Sequence, residues 1–329
     1  FNTTSNHANS VIKMNNKILI VDDLHPVFKE RAATLGYEVD DRPLITRAET
    51  LSIISNYAGI AVRTKFLIDR ELLDAATNLR FVARAGAGLD NIDVEFAESK
   101  SITLLNAPEG NRDAVGEHTI GLLLNLANKF RHADRQIRSG IWDREGNRGW
   151  ELKGKTVGII GYGFMGQSFA QRLSGFGVRV IAYDKYKTGF SDEYATEVSM
   201  EEIVKHSDVL SLHIPLTAET RQMVNGEYFF HFRKPIFFLS TARGEITNTQ
   251  AVIQGIRTGK ILGAGLDVLE VEKFPQLGEQ PWYDDLACNS KVILTPHVAG
   301  WTVDSYRKIS EVLADKLEKI NHLNPTEIK

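Results

Sequence analysis

The chain has 329 residues, 43% of them apolar and 25% charged, with a formal net charge of −3. That length suits two domains rather than one, and the composition is that of an ordinary globular protein. So small a net charge gives no footing for a nucleic-acid or anionic-membrane surface, and neither partner is expected.

Cys288 is the only cysteine, which rules out an intramolecular disulfide and fits a reducing, cytoplasmic compartment. No run reaches the roughly 18 apolar residues of a membrane-spanning helix. Residues Phe1 to Lys13 are polar and lack a signal-peptide core. They are expected to be a disordered extension, with Met14 as the native start.

The first strand-like run, Lys17 to Val21, ends on Asp22-Asp23. The same pattern opens phosphoacceptor receiver domains, but this chain continues far beyond the length of a receiver. Further strand-like runs fall at Gly59–Val62, Leu79–Ala83 and Ile102–Leu105. Helix-like segments alternate with them at Val27–Leu35, Ala48–Ser55, Arg70–Ala76 and Val94–Ser99. Alternation of this kind predicts a small parallel α/β domain. Asn106-Ala107-Pro108-Glu109-Gly110-Asn111 is rich in turn formers and is the expected hinge. A long helical pattern follows, from about Asp113 to Ser139, with Leu122, Leu123, Leu126 and Phe130 near helical spacing and Gly140 as its stop.

Next comes a complete βαβ fingerprint. A strand-like run, Thr156 to Ile160, leads into Gly161-Tyr162-Gly163-Phe164-Met165-Gly166 and a helix-like run from Gln167 to Phe176. A second strand-like run, Val178 to Tyr183, ends on Asp184, 23 residues after the first glycine. Gly161 allows the tight turn, Gly163 lets backbone approach a pyrophosphate, and Gly166 lets the helix pack on the strand. The helix N-terminus then offers free amides to the phosphates. Asp184 is placed to hydrogen-bond the adenosine ribose and would repel a 2′-phosphate, so the expected cofactor is NAD. Lys185 and Lys187 lie close enough to soften that preference.

Three apolar runs downstream each deliver a polar group at their end: Ile236 to Leu239 leading to Arg243, Gly263 to Leu266 leading to Asp267, Glu270 and Glu272, and Ile293-Leu294 leading to His297. Ligands of doubly wound sheets sit at the carboxyl ends of strands. An arginine can grip a carboxylate bidentately, a histidine can exchange a hydroxyl proton, and a carboxylate can orient the ring and favour its charged form. Taken singly, each has a bland alternative as a surface charge or a structural histidine. The last segment, Thr302 to Ile320, reads as one amphipathic helix.

Several strings, taken together and in order, resemble the D-isomer-specific 2-hydroxyacid dehydrogenases. They are Arg84 to Asp93 (RAGAGLDNID), Asn106 to Asn111 (NAPEGN), the fingerprint, Leu212 to Arg221 (LHIPLTAETR), STARGE around Arg243, GLDVLE around Asp267 and TPHVAG around His297. The likeness runs from about Val62 to Ser310. It implies an α/β fold of two doubly wound parallel-sheet domains, a Rossmann NAD-binding domain over 109–295 and a flavodoxin-like substrate domain from 14–108 plus 296–329. By the same resemblance Arg243, Glu272 and His297 are catalytic, with Glu270 the less favoured register. Gly161, Gly163, Phe164, Met165, Gly166, Asp184, His213, Pro215, Thr241, Ala242 and Asp267 would bind NAD, Asp267 through the nicotinamide carboxamide. Gly86-Ala87-Gly88 would hold the substrate carboxylate through backbone amides, and a homodimer would form through the nucleotide domain. No metal site is implied.

Three positions depart from the family pattern. Lys273 replaces a common proline, Asn248 a common aspartate, and Arg63-Thr64-Lys65-Phe66 the usual R-S-x-T. The last lies in the segment expected to face substrate. Arg63 and Lys65, with Arg144 from a partner, would suit a phosphorylated acid such as 3-phosphoglycerate. Hydroxypyruvate, glyoxylate and D-lactate-type substrates stay open, and an NADH-sensing corepressor of the same fold is the reading from another class. The chain extends 32 residues past His297, so no feedback-binding domain is expected after it.

Overall fold

The computed structural model describes residues 16–322; the extension expected over residues 1–13 lies outside them. The chain divides into two compact units. Among the described residues, one comprises 16–107 together with 309–322, and the other is Pro108–Lys308.

The first unit carries β1 (Lys17–Ile20), α1 (Pro26–Thr34), β2 (Glu38–Asp41), α2 (Arg47–Ile53), β3 (Gly59–Val62), α3 (Arg70–Ala75), β4 (Phe81–Arg84), α4 (Val94–Ser99) and β5 (Thr103–Leu105). Its strands form one parallel sheet in the order β2-β1-β3-β4-β5, which is the flavodoxin order. Each face of this sheet is covered. In β1, Ile18 and Ile20 join one apolar cluster and Leu19 the other, so the strand reads as an uninterrupted apolar run.

The second unit is built on α5 (Pro108–Asn128), α6 (Phe130–Arg138), β6 (Thr156–Ile160), α7 (Phe164–Leu173), β7 (Arg179–Tyr183), β8 (Thr196–Glu197), α8 (Met200–His206), β9 (Val209–Leu212), α9 (Gly226–Phe230), β10 (Ile236–Ser240), α10 (Thr249–Arg257), β11 (Ile261–Leu266), α11 (Tyr283–Ala287) and β12 (Val292–Leu294). The seven-stranded parallel sheet runs β12-β11-β10-β9-β6-β7-β8. The order reverses between β6 and β9, which is the switch point where a Rossmann sheet takes its dinucleotide. Phe237 and Leu239 of β10 enter the cluster on one face, Ile236 and Phe238 that on the other.

Helix α12 (Val303–His322) closes the chain. Its Ile309, Leu313, Ala314 and Leu317 recur at helical spacing and bury against Ile18, Ile20 and Phe28. Arg31 of α1 pairs with Asp315 and Glu318 of this helix at 2.5 and 2.9 Å.

Three expectations are corrected. The break expected over Asn106–Asn111 does carry the unit boundary, at Ala107–Pro108, but only Asn106 and Ala107 are irregular; Pro108 to Asn111 opens α5, where proline is tolerated in the first turn. The single helix expected over Asp113–Ser139 is two helices, because Lys129 adopts a left-handed conformation (φ 56) between them. The return to the first unit falls at Ile309, within α12, rather than at Pro296. Residues 296–308 stay with the second unit because Asp267 holds the amides of residues 297–299, Gly300 packs on Asn111 and Val115, and Lys308 reaches Asp113 at 3.5 Å.

Candidate active site

The fingerprint glycines differ in what surrounds them. Gly161 has φ 90, and a Cβ there would strike the His213 carbonyl, so only glycine lets the ends of β6 and β9 meet this closely. A Cβ on Gly166 would strike the Gly161 carbonyl oxygen, whereas a Cβ on Gly163 would meet nothing within 4 Å. The open space lies over Gly163, at the start of α7, whose N-cap makes no side-chain hydrogen bond. A helix N-terminus left uncapped beneath open space suits a pyrophosphate. Phe164 and Met165 form its first turn, and the Phe164 side chain is exposed.

Asp184 accepts the amides of Tyr162 (2.9 Å) and Tyr186 (3.0 Å), one on each oxygen. Each oxygen keeps a lone pair for a ribose hydroxyl. Both neighbouring lysines are engaged. Lys185 pairs with Glu219 at 2.5 Å, and Lys187 donates to the Tyr162 carbonyl at 3.1 Å. Glu219 also accepts the Tyr186 hydroxyl. These groups therefore fit NAD better than a 2′-phosphorylated cofactor.

At the other side of the switch point, His213 sets Nε2 against Ser211 Oγ at 2.9 Å, while its Nδ1 is buried without a partner. Burial pulls its pKa down to about 3, so the ring is neutral rather than an imidazolium. Pro215 offers its carbonyl to Thr220. Thr241 lies 3.4 Å from Thr119, and Ala242 is buried, its carbonyl accepting from Arg243.

The ends of β10, β11 and β12 bring the polar set together. His297 Nδ1 lies 2.8 Å from Glu272 Oε2. This hydrogen bond raises the imidazole pKa; burial opposes it, the Glu272 charge adds to it, the Arg243 charge opposes it and Asp267 supports it. Glu270, the other register, is committed elsewhere: it accepts from Gln222 at 2.8 Å and from the Thr249 amide at 2.7 Å. Gly244 lets the strand end after Arg243 touch the Leu269 carbonyl, where a Cβ would not fit. Asn248, in place of the family aspartate, caps α10 and donates to Gln222.

Asp267 does more than its sequence suggests. Its fully buried carboxylate accepts the Thr295 hydroxyl (2.5 Å) and the amides of Val298 (3.0 Å) and Ala299 (2.8 Å). Its backbone carbonyl accepts the His297 amide at 2.8 Å. His297 itself stands at φ 55, a region that side chains with a Cβ seldom occupy.

The substrate residues expected in the first unit lie at the ends of β3 and β4. Asp22 accepts the amides of Arg63, Thr64 and Lys65 on one oxygen, at 2.8 to 3.0 Å. Burial works against its charge, but four backbone amides outweigh that and lower its pKa. The aspartate that suggested a receiver domain is thus the anchor of the 63–65 turn. Lys65, exposed, donates its ammonium to the Pro43 carbonyl and keeps two further N–H donors. The Arg63 guanidinium lies 4.0 Å from Asp22. The Gly86 amide is spent on the Arg84 carbonyl, so of the expected loop only Ala87 and Gly88 keep amides without an acceptor among the described residues. Arg84 also stands beside this loop. Its guanidinium lies where a Cβ on Gly86 would stand, and only the proximity of arginine and glycine in RAGAG hinted at it.

Residues 120–299 match the family model described as the D-isomer specific 2-hydroxyacid dehydrogenase, NAD binding domain. The chain is 35% identical over 281 residues to a hydroxypyruvate reductase of Thermotoga maritima, covering 84% of this chain and 88% of that one. It is 32% identical over 306 residues to a D-3-phosphoglycerate dehydrogenase of Archaeoglobus fulgidus, covering 92% of this chain but only 56% of that protein. Among solved structures it is similar to a D-lactate dehydrogenase from Aquifex aeolicus complexed with NAD and lactic acid, with a TM-score of 0.78, 26% identity, and 93% and 96% of the two chains covered. With the Rossmann switch point, the fitted fingerprint and the Glu272–His297 pair already in place, the chain belongs to the D-isomer-specific 2-hydroxyacid dehydrogenase family and is an NAD-dependent oxidoreductase acting on CH–OH donors.

Proposed function

We propose that His297 exchanges a proton with the C2 oxygen of a small D-2-hydroxy acid or its 2-keto partner. The observation that carries this reading is the 2.8 Å pairing of His297 Nδ1 with Glu272, which leaves Nε2 to face substrate. When bound, NAD supplies or takes up the hydride at C2. In the reducing direction the imidazolium, stabilised by Glu272, gives its proton to the carbonyl oxygen; in the oxidising direction the neutral ring takes the hydroxyl proton. Arg243 grips the substrate carboxylate, since its planar fork matches two oxygens. Within the first unit, the amides of Ala87 and Gly88 are suited to an anion. Gly161, Gly163, Phe164, Met165, Gly166, Asp184, His213, Pro215, Thr241, Ala242 and Asp267 remain the proposed cofactor contacts.

Because the hydroxypyruvate reductase that the chain resembles is covered over 88% of its length, the substrate we favour is unphosphorylated: hydroxypyruvate or glyoxylate. 3-Phosphoglycerate is the second reading, supported by Arg63 and by the Arg84 guanidinium beside Gly86. The active form is proposed as a cytoplasmic homodimer through the second unit, where α6 and the residues after it expose Phe130 (57%), Ile137 (53%), Ile141 (49%) and Trp142 (80%). Patches of this kind mark protein contacts.

The test is NADH oxidation against hydroxypyruvate, glyoxylate, 3-phosphohydroxypyruvate, pyruvate and branched 2-keto acids, repeated with NADPH. Hydroxypyruvate or glyoxylate should give the highest kcat/KM, with NADH preferred. The highest value with 3-phosphohydroxypyruvate would select the second reading. Absence of turnover with every acid would favour a corepressor-type binding module instead.

A further inference from the structure

His118 lies in the middle of α5 and belongs to none of the roles assigned above. Its Nε2 is 2.9 Å from the Thr295 hydroxyl oxygen and 3.5 Å from Asp267 Oδ1. The Thr295 hydroxyl lies 2.5 Å from that same carboxylate oxygen. With Asp267 as the carboxylate anion that takes the amides of Val298 and Ala299, the bonds run one way. An ionised carboxylate only accepts, so the single Thr295 hydroxyl proton goes to Asp267. The hydroxyl then has only lone pairs to offer His118, and Nε2 must carry a proton. The result is a one-way chain: His118 N–H to Thr295, Thr295 O–H to Asp267.

Asp267 is where this chain meets the site. Its carboxylate takes the amides of Val298 and Ala299, and its carbonyl takes that of His297. These three bonds hold the turn in which His297 stands at φ 55 and meets Glu272. A carboxylate with its oxygens set by Thr295 cannot rotate away from the amides it holds.

We infer that His118 is a positioning residue for His297. Through Thr295 it fixes the Asp267 carboxylate, and that carboxylate fixes the 297–299 turn. His118 makes no hydrogen bond to His297 or Glu272 among the described residues. The inference rests on the proton-exchange role proposed for His297, and two readouts keep the failures apart.

The experiment compares His118→Ala, His118→Gln, Thr295→Val and the His118→Ala/Thr295→Val double variant. Glutamine places an amide donor at the reach of Nε2 and carries no titrating proton. Turnover of the best keto acid is measured with NADH binding by fluorescence, and the His297 titration is followed by NMR. His118→Ala should lower kcat about tenfold or more, as small misplacements of a reacting group do. It should lower kcat by a larger factor than it weakens NADH binding and shift the His297 titration to lower pH, because the Glu272 bond loosens. His118→Gln should recover most of the turnover and keep the wild-type titration. Thr295→Val should match His118→Ala, and the double variant should be no worse than either single, as expected of groups acting in series.

A glutamine variant as impaired as alanine, losses that add in the double variant, or a His297 titration unmoved by His118→Ala would each overturn the inference. The titration reads positioning even if His297→Ala retains turnover, an outcome that would sink the proton-exchange role alone.

Discussion

His297 combines two properties that pull against stability. It holds a left-handed backbone at φ 55, which costs on the order of 1–3 kcal/mol for a residue with a Cβ, and it keeps an exposed ring raised in pKa by a hydrogen bond to Glu272. Asp267 offsets the first with three bonds to the turn. The second sets the pH dependence. The imidazolium is the form that donates in reduction, so reductive kcat/KM should be level below the raised His297 pKa and fall as pH rises through it. Glu272→Gln removes the leading cause of the rise and leaves burial and the Arg243 charge, which lower the pKa, opposed only by the smaller effect of Asp267. The descending limb should therefore move to lower pH. Each unit of movement costs about tenfold in the protonated fraction at a pH above the limb. Paired pH profiles of NADH oxidation for wild type and variant check this; coincident limbs would remove Glu272 from the role. Cofactor binding by the variant should be unchanged.

At the scale of the element, the βαβ fingerprint assigns different work to glycines that look alike in sequence. A Cβ on Gly166 has no place to go but into the Gly161 carbonyl, while Gly163 faces open space. Gly166→Ala should thus lower stability, by roughly 1–3 kcal/mol as overpacking does, and be seen as a lower Tm with or without cofactor. Gly163→Val should leave the cofactor-free Tm unchanged and weaken NADH binding by about tenfold or more, a loss of about 1.4 kcal/mol or greater. Equal effects of the two substitutions on Tm would contradict the geometry. This fingerprint was readable in the sequence because its spacing, strand and helix are all local. So were the buried strands β1, β3, β6 and β10, whose apolar runs need no partner to be recognised. The edge strands β2 and β8 were not, because EVDD and TE carry no apolar alternation. The break at Lys129 was hidden for a related reason: nothing in Asn128-Lys129 lacks helical propensity strongly enough to announce a left-handed residue. In the polar site, the order Arg243, Glu272, His297 could be picked out. The engagement of Lys65 by Pro43, the spent amide of Gly86 and the His118–Thr295–Asp267 chain could not, since each depends on contacts remote in sequence or on which way a backbone amide turns.

For the whole molecule, the two points where the chain crosses between units differ in legibility. The first, at Ala107–Pro108, coincides with a turn-rich string; the second lies inside α12, where an unbroken amphipathic helix gives no local signal. The proposed assembly is argued in the opposite way, from what the fold leaves uncovered. Helix α6 buries none of its residues, and with the segment after it presents Phe130, Ile137, Ile141 and Trp142 to solvent. Apolar side chains are tolerated singly at a surface, but four on one short stretch of a second unit that has two well-formed cores of its own call for a cover. A second copy of the same stretch is the cover proposed, since a twofold contact presents identical surfaces to each other. A Phe130→Asp/Ile137→Asp double variant would bury two carboxylates in that contact, each at a cost of several kcal/mol. Sedimentation equilibrium should then return the monomer mass for the variant and twice that mass for the wild type, with the circular dichroism of the two proteins superimposable. Trp142 fluorescence should shift to the blue on assembly of the wild type alone. A wild-type protein sedimenting as a monomer at micromolar concentration, or a variant still dimeric, would rule out this face as the interface.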